Sequence, residues 1–93
     1  MIKQSCVKVG GIYQHYSSPL KTYMVLGIGF DAESKGRSLE DLKRVIIYKS
    51  LYSIEGKTNL VWIRSEESFT SKVSIGDKIF PRFTLIDHLL SKL

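Results

Sequence analysis

The chain has 93 residues, 43% of them apolar and 25% charged, with a formal charge of +5. That length holds one domain with a modest core, and the apolar fraction is too high for a disordered segment. No apolar run approaches the roughly 18 residues of a transmembrane helix, and the start, Met1 to Cys6, lacks the apolar stretch of a secretory signal.

Aromatic and β-branched runs alternate with turn signals, as in short strands joined by hairpins. Gly11 to Tyr16 is the first expected strand, closed by Ser17-Ser18-Pro19, and Thr22 to Phe30 is the second. Within it Gly27 and Gly29 suit a strand that bends around a small barrel, and with no third glycine or following helix they are no dinucleotide fingerprint. Ser38-Leu39-Glu40-Asp41 resembles a capping box, with the serine oxygen accepting a backbone N–H and room for one or two helical turns. Arg44 to Tyr52 is the third strand, and Glu55-Gly56-Lys57 turns the chain into a fourth at Asn59 to Arg64. Val73 to Ile75, the turn at Gly76-Asp77 and Lys78 to Leu85 form a last hairpin. Pro81 has no N–H to donate, so that final run lies at a sheet edge or breaks there. Leu85, Ile86, Leu89, Leu90 and Leu93 have helical spacing, which predicts a short C-terminal helix over 85–93. It either packs on the domain or forms a dimer contact. The expected fold is mainly β: a single domain over 1–93 with five or six strands in a small barrel or rolled sheet.

Charge and chemistry narrow the function less. Residues 10–86 hold eleven bases and eight acids with their signs interleaved, as in Glu40-Asp41-Leu42-Lys43-Arg44. A basic balance permits contact with a polyanion, yet no basic cluster is visible along the chain. The single cysteine, Cys6, makes no internal disulfide, and no Cys or His spacing matches a metal site, so neither metal nor cofactor is expected. A cytoplasmic location is the expectation from cysteine use and the lack of membrane signals.

Period-two alternation sorts side chains by face. Tyr13 and His15 share one face of the first strand; Tyr48, Ser50 and Tyr52 share one in the third; Leu60, Trp62 and Arg64 share one in the fourth. If these faces meet, rings and a guanidinium converge on one patch suited to a planar or anionic ligand. Otherwise the same rings fill a core with their polar tips bonded to backbone. Arg82 joins that patch or pairs with Glu66 or Glu67. The candidate ligand-binding residues are therefore Tyr13, His15, Tyr48, Tyr52, Trp62, Arg64 and Arg82. A nucleotide, nucleic acid or other small planar anion is the first expectation for a partner, and a peptide segment the alternative. A small hydrolase using His15 as base is a third reading, but Ser17, Ser18 and Ser50 stand in no nucleophile elbow.

The segments Gly11-Ile12-Tyr13-Gln14-His15-Tyr16, Tyr23 to Gly27, Val45 to Tyr52, Leu60 to Arg64 and Pro81-Arg82-Phe83 occur in that order. Together, over residues 10–83, they resemble the small bacterial domain-of-unknown-function family numbered sixteen fifty-three, whose pattern runs GxYxHY, YxVLG, VVYxxLY, LWVRP and PRF. The chain departs from it at Asp31-Ala32-Glu33-Ser34 with an insertion through Lys43, and at Ser65, where the family carries proline. The resemblance implies a stand-alone module with a barrel similar to the Src-homology-three type, and no established reaction.

Overall fold

In the computed structural model, residues 5–88 are described. Seven strands follow one another: β1 (Gly11–His15), β2 (Thr22–Phe30), β3 (Arg44–Ser50), β4 (Val61–Ser65), β5 (Lys72–Ile75), β6 (Lys78–Pro81) and β7 (Phe83–His88). A one-turn helix, α1 (Glu66–Phe69), separates β4 from β5, and a 3-10 turn at Leu39–Asp41 precedes β3. Five strands make an antiparallel sheet in the order β4-β3-β2-β1-β7, and β5 pairs only with β6.

The architecture is mainly β, as expected, but the described strands do not close a barrel. β4 and β7 are the two edges of the sheet and do not pair with each other. The sheet curls instead. Bulges between Val25 and Gly27, and opposite the Ile12/Tyr13 step, add local twist where the strands bend around the core. Gly11 allows the tight entry to β1: a Cβ there would lie 2.8 Å from the Lys8 carbonyl oxygen and 2.9 Å from Leu85.

The expected helix from Leu85 is also corrected. Residues up to His88 form β7, hydrogen-bonded along β1 from Gly11↔His88 to His15↔Phe83. Pairing supplies partners for the backbone of an amphipathic segment whichever period its side chains suggest. The remainder of that expected helix, with Leu89, Leu90 and Leu93, lies outside the described residues.

Several boundaries have local causes. β4 begins at Val61 rather than Asn59 because Asn59 has a left-handed backbone, φ 58°, a conformation asparagine tolerates but a strand does not. Glu55 and Gly56 take φ 52° and 79°, the two left-handed positions of a tight turn closed by reciprocal Ile54–Lys57 backbone bonds. Gly76 turns β5 into β6 at φ 59°. Pro81 ends β6, and Arg82 then crosses between sheets: its N–H donates to the Ser71 carbonyl while its own carbonyl accepts from Tyr16. Ser38 makes no side-chain cap; Asp41 Oδ2 accepts from the Arg37 N–H and the Ser38 hydroxyl instead.

The core is aromatic. Tyr13, Tyr23, Val25, Ile46, Tyr48 and Phe83 come from the concave face of the sheet, and Phe69 of α1 plugs its hollow. Phe69 is 1% exposed. It stacks on Phe83 at 4.2 Å and 5° and meets Tyr13 and Tyr48 edge-on at 5.2 and 5.4 Å. The helix carrying it is capped by Ser65, whose hydroxyl accepts the Ser68 N–H at 3.1 Å, with Glu66 and Glu67 in its first turn.

Candidate functional site

The β3–β4 register sets Tyr48 opposite Trp62 and Ile46 opposite Arg64, so Tyr48, Trp62 and Arg64 lie on one face of the sheet. Arg64 is half-buried. Its Nε donates to the Tyr48 hydroxyl at 3.2 Å, its Nη1 donates to the Ser68 hydroxyl at 3.0 Å, and Cζ stands 5.5 Å from the Phe83 ring centre. Phe83 also meets His15 edge-on at 5.1 Å and Tyr23 at 5.7 Å. Tyr23 and Tyr52 share a 2.6 Å hydroxyl–hydroxyl hydrogen bond. Tyr48, Tyr52, His15 and Arg64 are thus gathered around Phe83 and Tyr23. Trp62, at the outer edge of the same face, is 41% exposed.

The remaining two candidates lie apart from that centre. Tyr13 is a core residue: its ring packs on Phe69, and its hydroxyl accepts the Lys8 N–H at 2.9 Å. Burial, the largest effect, raises its phenol above the ordinary value, against the lowering influence of that N–H. Tyr13 forms a wall of an apolar hollow of about 260 Å³ lined also by Val7, Phe69, Phe83 and Leu85. Arg82 pairs with neither Glu66 nor Glu67. Its Nε donates to the Ser71 hydroxyl at 3.0 Å, while Glu66 bridges to Arg44 at 3.3 Å.

Electrostatics tie Arg82 back to the patch. The His15 imidazolium is disfavoured first by burial, then by the positive charges of Arg64, Lys21 and Arg82, so its pKa falls below the ordinary 6.5. The Tyr23 phenol is raised, chiefly by burial and then by the Tyr52 hydrogen bond; Arg64 acts in the lowering direction. Three cations therefore act on one histidine. Among the described residues, neither Arg64 nor Arg82 meets a carboxylate. A guanidinium carries five N–H donors. Arg64 commits two nitrogens and Arg82 one, each to a neutral hydroxyl, which leaves terminal N–H groups unspent in a partly desolvated place.

His15 Nδ1 is taken up locally. The Ser17 hydroxyl lies 2.7 Å away and the Ser17 N–H donates to it at 3.2 Å, a contact within one turn. No group of three metal-binding side chains occurs among the described residues. No described helix is long and apolar enough to cross a membrane.

Alternation along the strands pointed to the candidate rings but not to Lys21, Tyr23, Ser68, Phe69 or Phe83, which supply the floor and the charge. Tyr23 and Phe83 stood in the family-like segments without being assigned a place in the site. Ser65-Glu66-Glu67-Ser68, a capping serine followed by two acids, was the available signal for α1 and hence for Ser68 and Phe69.

A crystal structure of a family protein from Bordetella bronchiseptica resembles this fold with a TM-score of 0.65 and 25% identity, over 86% of this chain and 88% of that one. No curated protein matches the chain. The profile of a family described as "Protein of unknown function (DUF1653)" matches residues 11–85, from the start of β1 into β7. With the strand motifs, the sheet and the profile in agreement over most of its length, the chain belongs to the DUF1653 family.

Proposed function

We propose that this domain is a non-catalytic binding module for a nucleotide, whose phosphate meets Arg64 and Arg82 and whose base lies against Trp62. One observation carries the reading: a half-buried Arg64 with unspent N–H donors and no carboxylate partner among the described residues. Removing a cation from water without a counter-ion is costly, and an anionic ligand supplies the missing charge and acceptors. Trp62 and Arg64 are two residues apart on one strand face, roughly 7 Å along the sheet, a spacing that lets a planar ring and a phosphate of one small molecule engage both. Tyr52, Tyr48 and His15 border the same place with polar tips. The single tryptophan provides the readout. Titration with AMP, ATP and a short oligonucleotide is expected to change Trp62 fluorescence. Arg64→Gln is expected to weaken the response by at least about tenfold, the loss of one charged hydrogen bond. Silence towards all three ligands refutes the reading; binding of the oligonucleotide alone shifts it to single-stranded nucleic acid.

The hydrolase alternative has less support, since His15 Nδ1 is engaged within its own turn and no described carboxylate orients the ring. A base acting on a nucleophile normally needs that third group.

A further inference from the structure

β4 carries Trp62 and Arg64 of the ligand site on its concave face, and its free side has a chemistry of its own. β4 is an edge of the five-stranded sheet, and no described strand pairs with its far side. Ser50, next to the β3–β4 ladder, bonds to Leu60. Alternation from that pair commits Trp62 and Arg64 to β3 and turns the N–H and C=O groups of Val61 and Ile63 and the N–H of Ser65 outwards, while the Ser65 carbonyl, at the N-cap of α1, serves the helix. The side chains are as unusual as the backbone. Val61 is 60% and Ile63 69% exposed, on the convex face beside Ile47. Proteins normally blunt such an edge with lysine, proline or a covering element, and the sequence Val61-Trp62-Ile63 has none of these.

We infer that β4 pairs antiparallel with β4 of a second copy of this chain, in the register that sets Ile63 against the partner's Ile63. Three features of the strand select that occupant. In this register the outward backbone groups meet each other: Ile63 faces the partner's Ile63, and Val61 faces the partner's Ser65, as a two-fold hydrogen-bonded pairing requires. The exposed valine and isoleucine cover one another across the axis. Charge also fits the reversal of direction. Lys49, paired with Val61, and Lys57 lie near the start of β4, with Glu55 in the same turn, whereas Glu67 follows its end, where Glu66 is already paired with Arg44. Antiparallel pairing brings Lys49 and Lys57 of each copy towards Glu67 of the other; an acidic peptide of uniform sign would meet Glu67 at one end of the edge. The pairing is short. A five-residue strand buries less than the roughly 1,200 Å² of a stable interface, so the dimer exchanges with monomer and grows with concentration.

Sedimentation equilibrium on the whole chain tests this, with far-ultraviolet circular dichroism to check that each variant is folded. Dimer is expected to increase with concentration and to be lost in Ile63→Lys, whose charge faces solvent in the monomer. Glu67→Lys is expected to weaken association by about tenfold, through two symmetry-related contacts, and Glu67→Lys combined with Lys49→Glu is expected to recover it. A chain still monomeric at about 1 mM overturns the inference. So does a dimer indifferent to Ile63→Lys, which uses another face, and so does capture of an acidic strand peptide in place of self-association.

Discussion

Replacing Phe69 with alanine tests the claim that a one-turn helix holds the curled sheet together. The side chain is 1% exposed and touches three rings: Phe83 in a parallel stack, Tyr13 and Tyr48 edge-on. Burial of a phenylalanine side chain is worth about 1.5–3 kcal/mol, and each well-formed ring pair adds about 0.5–1.5 kcal/mol. Part of Phe69 already borders the apolar hollow of about 260 Å³, so one side has fewer contacts to lose. These contributions give a loss of about 4 kcal/mol, inside the range of about 3–5 kcal/mol seen for such core truncations. Whole domains of this size are stable by about 5–15 kcal/mol. The variant therefore melts roughly 15–30 °C lower. Urea unfolding followed by circular dichroism measures it, with Phe80→Ala on the exposed β5–β6 hairpin as the comparison, expected to cost under about 1 kcal/mol. Equal losses for the two variants would refute the plug, because Phe69 would then be no more central than a surface ring. The floor of the ligand site should loosen as well, since Phe69 backs the Phe83 ring that His15 and Arg64 flank.

Two further outcomes follow from the same structure. In the ligand-free domain His15 binds its proton less readily than in the unfolded chain, because its pKa lies below 6.5; its contribution to stability is present above pH 6.5 and declines as the pH falls below it. A bound phosphate reverses the local repulsion, so AMP affinity should rise as the pH falls through that range, and His15→Gln should flatten the rise; fluorescence titration at several pH values reads both. Ser65→Ala removes the oxygen that accepts the Ser68 N–H and is expected to cost about 1 kcal/mol in urea unfolding.

Much of the strand pattern was legible in the chain. β2 runs from Thr22 to Phe30 as its aromatic and β-branched residues indicate, and β1, β3 and β5 fall within a residue or two of expectation, whereas the run expected from Lys78 to Leu85 breaks after Pro81 into β6 and β7. Turn chemistry at Glu55-Gly56 and Gly76 was legible too, because positive φ has few residue choices. The face shared by Tyr48, Trp62 and Arg64 followed from period-two alternation once the strands paired. The C-terminal segment was misread because Leu85 and Ile86 satisfy a helical period, while backbone pairing with β1 decided the outcome. α1 was missed because four residues carry too little periodicity to register. Tyr13, grouped with His15 by alternation, went to the core because its ring meets Phe69, a contact between residues 56 positions apart.

By itself the sequence determined that the chain is mainly β, where most of its strands fall and which side chains share a face of each; these depend on neighbouring residues and on backbone stereochemistry. Only the tertiary structure decided that the sheet stays open with β4 and β7 at its edges, that Phe69 fills its hollow, and that Arg64, Arg82 and Lys21 act together on His15 without a carboxylate beside either guanidinium among the described residues. The reason is range. Strand formation is written in the local alternation of side chains, whereas closure, plugging and the pairing of charges depend on distances between residues far apart in the chain, which become defined only when the sheet curls around its core.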